Sequence, residues 1–592
     1  MPAFLQSFIE AEQERSRRIE QLRKEIREFA KEEAGSSITE QILLFLADEM
    51  VEHLSEIDYE LRMKFELYIT PLIKRNYIYR YTGTFDRIRQ AYIRSSDLET
   101  YIRERMKTPA GQRECEWKYK NEILFVPYHS DPVIVKSVET VRCRSNMVWN
   151  FKAAASEKLK RQIFTVLEYI LKNYEISRLR EYKLTGLQLF YEFCIREQIT
   201  DIQLLELEQE TAFQDYLKQK VEKEQRRKRL KSIVETARKV IFIETDETRW
   251  DATIWYLERF RIAKERINQS DSIEKISFQE VLQPKNRLLL QEYMKYEIGI
   301  GELALSTVYE RFRTIRNFLQ EISELEVTKC DASLIDVYLK NLQNGAMGAK
   351  TFNTNVSGIQ FFMKFLEVKG YIKKVPFYAS YYLEKQIPVH HDRSVEEDVY
   401  MEIIQNLSQF PEHLRMMFLH LWCVGLRISE VCTLKGDAYY IQNGDCWMKV
   451  YQVKMKNYKR VPIPVTLYRL MQVYLKKHPT KKEAYIFRNR KGGAFSKSTF
   501  MGQMKKYCSQ IGIQNGEYIF KSHDYRHTVA TNFYEHGVSI QSIRDYLGHT
   551  FEEMTMQYID YMPRKIAKEN DAYFEEEENS LLACMQKGEK HG

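Results

Sequence analysis

Charged side chains that could bind an anion are concentrated in the last third of this chain of 592 residues. The stretch HDYRHTVATNF holds His523, Arg526 and His527 within five positions, with His523 and Arg526 on one helical face. VGLRISEVCTL places Arg427 and Glu430 at the same spacing in apolar sequence, where an arginine needs an anionic partner. Glu430 alone could be that partner, and HDYRH could be a helix start with solvated polar residues. The alternative is a site in which both arginines bind one anion.

Two further segments carry candidate groups for the same site. WMKVYQVKMKNYKRVPIP predicts two strands joined by a tight turn at 455–458, with Lys454 at the end of the first strand. IRDYLGHTFEEMTMQYIDY carries His549 and, nine residues later, Tyr558. A tyrosine phenol can act as a covalent nucleophile when a base is close to it.

Cationic residues are concentrated around the predicted hairpin. From Lys449 to Lys506 the sequence has sixteen Lys or Arg residues and one acid, Glu483, a net charge of +15. The whole chain carries +8, so the remainder sums to −7. A basic segment of this length is typical of a nucleic-acid-binding surface, and the alternative is an ordinary solvated surface.

The elements that must position these groups are mostly helices. Gly (22) and Pro (13) are scarce, and long stretches are rich in Leu, Ile, Lys and Glu. The pattern predicts a mainly α fold with a small β-sheet in the last domain, an α+β class. The length predicts several domains. We divide the chain into an N-terminal domain of unknown role, a helical domain with DNA binding as one role, a second helical domain, a linker, and the site-bearing domain with its tail: 1–145, 146–280, 281–375, 376–393 and 394–592.

The two helical domains contain stretches of similar layout. ISRLREYKLTGLQLFYEFCIREQ and LSTVYERFRTIRNFLQEISELE each end in an apolar face and lead through a short link to a helix ending in YL. A tandem repeat is one interpretation, and chance similarity between amphipathic helices is the other. VEKEQRRKRLKSIV, at 221–234, favours a solvated helix face, with DNA contact as the alternative.

Several classes of protein are disfavoured by the sequence. Nine cysteines are scattered without a CxxC pair, which predicts free thiols in a reducing cytoplasm and no zinc site. The longest apolar run, near MMFLHLWCVGL, is too short to cross a bilayer. We find no P-loop and no supported carboxylate triad, and we expect no metal, no cofactor and no membrane partner.

Taken in chain order, the candidate groups resemble the signature of the tyrosine recombinase, or phage integrase, family: Arg427, Lys454, His523, Arg526, His549 and Tyr558. GLRISE, HDYRHTVAT and LGH…T…Y are similar to that family's motifs, and the resemblance covers about 175 residues from 394 to 568. The domain at 281–375 resembles the family's core-binding, SAM-like domain. Tyr525 departs from the pattern, because the family usually has an aliphatic residue there. The long N-terminal extension resembles that of large transposase subunits encoded by transposons.

The resemblance implies cleavage and rejoining of DNA strands through a 3′-phosphotyrosine, without metal or ATP. It makes Tyr558 the nucleophile, with Tyr546 and Tyr561 as rivals, of which we expect Tyr546 to pack and Tyr561 to share a helix face with Tyr558. Arg427 and Arg526 would bind the scissile phosphate bidentately.

The remaining groups would move protons or support the site. His549 would donate a further hydrogen bond to the phosphate, and His523 would accept the phenol proton and return it. Lys454 would protonate the departing 5′-oxygen, with Lys456 as the alternative because the hairpin register is open. Lys456, Lys459 and Arg460 would also bind DNA, and Glu430 would orient the site without touching DNA.

The resemblance also implies the partners: double-stranded DNA at the recombination sites of a mobile element, a homotetramer in the synaptic complex, and other recombinases of the same element. We expect a cytoplasmic protein, bound to the bacterial nucleoid when on DNA. An accessory DNA-binding subunit that depends on a partner recombinase remains an alternative, as does a type IB topoisomerase-like nicking-closing enzyme.

Overall fold

The computed structural model describes most of the chain: 3–95, 123–129, 131–138, 145–175, 178–345, 347–386 and 393–549, with Glu552, Thr555, Ala572 and Tyr573 beyond them. These residues are mainly helical and include three small sheets, which confirms the predicted α+β class. The chain forms two compact units, Met1–Arg259 with Ser277–Glu280 and Phe260–Ile276 with Val281–Gly592. The finer division into five segments stays a prediction.

The first unit begins with four helices packed around a core that includes Leu22, Ile42, Phe65 and Phe85. They are α1 (Ala3–Phe29), α2 (Ser37–Asp48), α3 (Tyr59–Ile69) and α4 (Ile78–Ser95). Short polar residues start two of them, because the side chains of Ser36 and Asp58 accept hydrogen bonds from the first-turn N–H groups of α2 and α3.

The rest of the first unit has a second core, which includes Trp149, Leu167 and Phe193. Strand β1 (Ile123–Phe125) pairs antiparallel with β2 (Val148–Asn150). The helices are α5 (Pro132–Val138), α6 (Glu157–Asn173), α7 (Arg178–Arg196), α8 (Leu207–Lys220) and α9 (Glu224–Glu244). Strands β3 (Ile254–Tyr256) and β4 (Lys275–Ser277) follow in the chain.

The hydrophobic pattern predicts four helices around 287–296, 305–321, 331–342 and 350–369, and the second unit has four helices close to these positions. They are α10 (Pro284–Gly299), α11 (Leu305–Glu321), α12 (Ala332–Asn344) and α13 (Ala349–Val368). Their core includes Leu290, Phe312, Phe318 and Phe362, which are fully buried. The side chain of Asp331 accepts a hydrogen bond from the Leu334 N–H and so caps α12.

The site-bearing part of the second unit surrounds a three-stranded antiparallel sheet in the order β5–β6–β7. Its strands are β5 (Tyr439–Gln442), β6 (Asp445–Gln452) and β7 (Asn457–Pro462). Its helices are α14 (Glu397–Gln405), α15 (Glu412–Val424), α16 (Ile428–Cys432), α17 (Val465–Lys477), α18 (Lys497–Ile511), α19 (Ser522–Glu535) and α20 (Ile540–Leu547).

The hairpin turn lies earlier in the sequence than expected. Gln452 pairs with Asn457, so the turn is 453–456 and not 455–458. Lys454 is therefore inside the turn and does not end the strand. Within the part of the chain described above, no helix has both the length and the apolar character that a bilayer crossing requires.

Candidate active site

Arg427 lies at a helix junction that fixes its backbone. Gly425 ends α15 in the left-handed region with φ 64°, and Arg427 directly precedes the short helix α16. The Arg427 N–H donates to Glu430 Oε2 at 3.1 Å, and Arg427 Nη1 donates to Glu430 Oε1 at 3.0 Å. One carboxylate therefore holds both the main chain and the guanidinium of this arginine, so Glu430 is the anionic partner that the sequence required.

Glu430 is a buried carboxylate among cations. Its side chain is 1% exposed, and Lys459 Nζ lies 3.5 Å from Glu430 Oε2. Burial by itself would raise the pKa of Glu430, but the nearby charges of Lys459, Arg526 and Arg427 hold that pKa below its ordinary value. Glu430 is thus ionised at neutral pH and offsets part of the positive charge of the site.

Lys459 points inward from β7. Its side chain is 8% exposed, and Nζ donates to the carbonyl oxygens of Leu547 at 3.1 Å and Tyr546 at 3.4 Å. Burial lowers the pKa of Lys459 to about 8; Arg526 and Arg427 add to this effect and Glu430 opposes it. The sequence interpretation used Lys459 only as a DNA contact. The alternation of buried and exposed residues along β7, with Val461 inward, is the signal that indicates its direction.

Arg526 is the most enclosed cation of the site, with a relative exposure of 0%. Nη1 donates to the Gly425 carbonyl at 2.9 Å, and Nη2 donates to the Leu547 carbonyl at 2.6 Å. These carbonyls stand at the ends of α15 and α20, where the last carbonyl groups of a helix have no partner within it. The guanidinium therefore links the ends of two helices, and these hydrogen bonds restrict its position.

His549 follows α20 and bonds to Arg526. Its Nε2 lies 2.8 Å from Arg526 Nη2, and its Nδ1 lies 2.9 Å from Thr555 Oγ1. A guanidinium can only donate, so Nε2 accepts, and the ring proton is on Nδ1, which donates to Thr555. Burial, with Arg526 and Arg427 acting in the same direction, lowers the pKa of His549 to about 3. The ring is therefore neutral at pH 7.

Gly548 is the residue that permits this turn into His549. It has φ 70°, and a Cβ atom at this position would lie 2.0 Å from Gln452 Nε2. Gln452 Nε2 in turn donates to the Gly548 carbonyl at 3.1 Å. The GH pair of the LGH motif thus depends on the absence of a side chain at residue 548.

His523 and His527 form a pair on α19. Their ring centroids are 5.2 Å apart; His527 is buried, whereas His523 reaches the surface of the site. Removal from water lowers the pKa of His523 to about 4, and the cations Arg526, Arg427 and Arg393 act in the same direction. At pH 7 the imidazole of His523 is neutral and able to accept a proton.

The other expected site residues lie apart from this cluster or outside the described residues. Lys454, Lys456 and Arg460 are exposed on the hairpin, and Lys456 Nζ is 3.5 Å from the Glu302 carbonyl. Tyr558 and Tyr561 lie outside the described residues. Tyr546 packs edge-on against Phe533, with ring centroids 5.1 Å apart, as expected. The residues brought together are Arg427, Glu430, Lys459, Arg526 and His549, with His523 at the edge.

The site thus combines a helical α+β domain with two arginines beside histidines, of which Arg526 is fully buried and Arg427 is partly exposed. The phage integrase family matches residues 393–564, which span the whole site and the position of Tyr558. The similarity to the phage integrase, or tyrosine recombinase, family thus covers the part of the chain that holds the site.

Two relatives match longer stretches of the chain. The chain is 27% identical over 328 residues to Transposase B from transposon Tn554 of Staphylococcus aureus (strain N315), a match that covers 53% of this chain and 51% of that protein. The chain thus spans about half the length of this relative. It is 23% identical over 278 residues to a tyrosine recombinase of Pseudothermotoga lettingae, covering 46% of this chain and 93% of the relative.

Among solved structures, one similar chain is the Tn1549 transposon integrase in complex with circular intermediate DNA. It is 17% identical, with a TM-score of 0.36, over 48% of this chain and 98% of that one.

Proposed function

We propose that the protein is a site-specific DNA recombinase of a mobile element that cleaves and rejoins strands through a 3′-phosphotyrosine. The observation that carries this proposal is the fixed placement of two guanidiniums, the partly exposed Arg427 on the buried Glu430 and the buried Arg526 on two helix ends. Hydrogen bonds within the protein hold both guanidinium groups in place. Donors fixed in advance near a developing negative charge are worth a few kcal/mol each in a transition state.

In the proposed first step, the Tyr558 phenol oxygen attacks the scissile phosphorus, and the bond from phosphorus to the 5′-oxygen breaks. The phenol proton goes to His523, whose neutral imidazole can accept it. The 5′-oxygen leaves with a proton from a hairpin lysine. The phosphodiester is exchanged for a phosphotyrosine, so the bond energy is kept and the reverse attack by a 5′-hydroxyl rejoins a strand. Arg427 and Arg526 supply the positive charge for this step, which is why the proposal needs neither metal nor ATP.

Three hairpin lysines compete for the role of general acid. Lys454 and Lys456 are the two expected candidates and lie in the exposed turn, where a bound duplex could reorder them. Lys459 already lies beside Glu430, and its pKa of about 8 suits an acid that works near neutral pH. A substrate with a bridging 5′-sulfur distinguishes them, because a thiolate leaves without a proton. We expect this substrate to restore cleavage only to the alanine variant of the general acid.

The proposed partner is double-stranded DNA at the ends of the element, bound in part by the exposed cations of 449–506. Strand exchange between two duplexes would take place in a homotetramer, and other recombinases of the element could join it. We place the protein in the bacterial cytoplasm, at the nucleoid when it is on DNA. An accessory subunit would bind these ends without cleaving them alone, and a topoisomerase-like enzyme would cleave and reseal one duplex without exchange.

The deciding experiment uses the full chain, EDTA, and nicked duplexes that carry the ends of the element. We expect a protein–DNA adduct that survives SDS, that Tyr558→Phe abolishes, and that Tyr561→Phe retains, while both variants still bind DNA. An adduct that needs a divalent ion, or that persists in Tyr558→Phe, would refute the mechanism. Specific binding without any adduct would favour the accessory subunit.

A further inference from the structure

The four helices α6–α9 and the four helices α10–α13 have the same order of elements. In each group a 3-10 helix of three residues separates the second and third helices, at Ile202–Leu204 and at Val327–Lys329. These 3-10 helices start 125 residues apart, and so do α9 at Glu224 and α13 at Ala349. Two groups of unrelated helices have no reason to keep one spacing through three consecutive elements.

The buried positions of the second helices match at the same spacing. Residues 125 positions apart are buried in both groups, in these pairs: Leu187 and Phe312, Phe190 and Ile315, Phe193 and Phe318, Cys194 and Leu319. The last halves of the fourth helices match in the same way: Val234 and Ile359, Ala237 and Phe362, Val240 and Phe365, Ile241 and Leu366. The two cores are therefore built on the same positions.

The contacts within the two cores also correspond. Phe193 lies 5.2 Å from Phe213 between ring centroids, and Phe318 lies 5.0 Å from Tyr338. In each pair the first ring is on the second helix and the other is on the third helix, and each partner is again 125 residues from its counterpart. An aromatic contact thus joins the same two helices at the same place in both groups.

A hydrogen bond that holds the 3-10 helix is repeated as well. Gln162 Oε1, in α6, accepts the N–H of Ile202 at 2.9 Å, and Asn286 Oδ1, in α10, accepts the N–H of Val327 at 2.8 Å. Both acceptors are buried side-chain amides on the first helix of their group. Each satisfies the first N–H of the 3-10 helix, which has no partner within that helix.

We infer that 157–244 is a second copy of the helical module 284–368, and that this copy binds duplex DNA of its own. The DNA assignment rests on the proposed function, because that function makes duplex DNA the polyanion the protein meets. The inference that the two modules are copies rests only on the repeated spacing and contacts. The two copies differ in the charge of the surface that would bind DNA, and the more basic surface of the first copy is the proposed DNA contact.

The basic surface of the first copy is the end of α8 and the start of α9. From 218 to 231 the sequence has eight Lys or Arg residues and two acids, a net charge of +6. Arg226, Lys228, Arg229 and Lys231 are exposed, and Lys228 pairs with Glu224 at 2.7 Å. In the second copy the positions equivalent to Arg226 and Arg229 are Thr351 and Thr354.

Two residues of α7 support this surface from below. The Arg229 guanidinium lies over the Tyr182 ring, 5.2 Å from its centroid, in a cation–π contact. The Lys183 ammonium donates to Thr236 Oγ1 at 2.6 Å and Ser232 Oγ at 3.1 Å, which are uncharged acceptors. Its charge therefore adds to the field of the surface. A dense positive surface of this kind is suited to the phosphates of a nucleic acid.

The test measures binding of the full chain to a duplex several helical turns long, across a series of salt concentrations. The variant Arg226→Gln/Arg229→Gln/Lys231→Gln removes three charges from the surface. The control Lys24→Gln/Arg27→Gln/Lys31→Gln removes three exposed charges from the start of the chain. Circular dichroism establishes that both variants are folded. Each lost phosphate contact reduces the slope of log K against log salt by about 0.9, so the surface variant should lose up to about 2.7 and the control almost nothing.

Adduct formation on a short nicked duplex separates this inference from the proposed function. We expect both triple variants to form the adduct as the wild type does, because neither changes the catalytic part. A surface variant whose slope equals that of the wild type would overturn the inference. The inference would also be overturned if RNA, or polyaspartate as a substitute for an acidic protein, competed for the surface as well as duplex DNA does. A different result would be a wild type that forms no adduct while the surface variant still reduces the slope of log K against log salt. That result would refute the proposed function and leave the second DNA contact standing.

Discussion

Replacement of Glu430 by glutamine should destabilise the site-bearing part of the chain strongly, although the two side chains have the same shape. The substitution removes the negative charge that Arg427 contacts at 3.0 Å and that Lys459 approaches to 3.5 Å. It leaves the cations Arg427, Lys459 and Arg526 in place around a buried position. Removal of one partner from a buried ion pair typically costs 3–5 kcal/mol, and we expect a loss of about 3 kcal/mol because Arg427 keeps some contact with water.

The pH dependence of this loss identifies its cause. Glu430 raises the pKa of Lys459, so its removal should lower that pKa further below 8. The unfolded chain then binds more protons than the folded chain between the folded pKa of Lys459 and its ordinary value of about 10.4. Stability of Glu430→Gln should therefore rise with pH through this window, and it recovers part of the loss relative to the wild type between its own folded pKa of Lys459 and about pH 8, above which both proteins gain stability alike. Urea unfolding at pH 7 and pH 9 measures both quantities.

A double variant gives the control for this reasoning. Lys459→Met fills a similar volume without a charge, so Glu430→Gln/Lys459→Met should be more stable than Glu430→Gln alone. A double variant that is no more stable than the single variant would refute the argument, since the cost would then come from lost hydrogen bonds and not from the unpaired ammonium.

Two further predictions concern Gly548 and the buried histidines. Gly548→Ala should cost about 1–3 kcal/mol and abolish the SDS-stable adduct, because a Cβ would lie 2.0 Å from Gln452 Nε2 and displace His549. Gly444→Ala is the matched control for its positive φ, since φ is 85° there with no atom within 4 Å of the added Cβ, and full loss of activity in this control would contradict the explanation. Stability should also fall on acidification from pH 6.5 to pH 4, because burial lowers the pKa of His420 to about 4 and the unfolded chain binds more protons in this range. Urea titrations should show that the loss of stability by pH 4 is about 3 kcal/mol smaller in His420→Gln than in the wild type, because the other histidines contribute to both proteins, and identical profiles for the two proteins would refute this.

The sequence predicted the helices of the second unit well, because their apolar residues recur at helical spacing and their ends carry capping residues such as Asp331. It also gave the pairing of Arg427 with Glu430 as one of two alternatives, since that contact spans three residues. The direction of Lys459 depends on the register of β6 and β7, and a shift of two residues in the turn was enough to obscure it. The partners of Arg526 could not be predicted, because main-chain carbonyls leave no mark in the residue types.

The two hydrogen bonds that fix Arg526 determine which substitutions the site tolerates. Its acceptors are the Gly425 and Leu547 carbonyls, which every amino acid possesses, so substitutions along α15 and α20 leave the acceptor atoms in place. The lengths of the two helices are what matter. One inserted residue in α20 would advance its end by about 1.5 Å and turn the last carbonyl by about 100°. The number of residues in each helix therefore determines where its last carbonyl lies, and so where the Arg526 guanidinium is held.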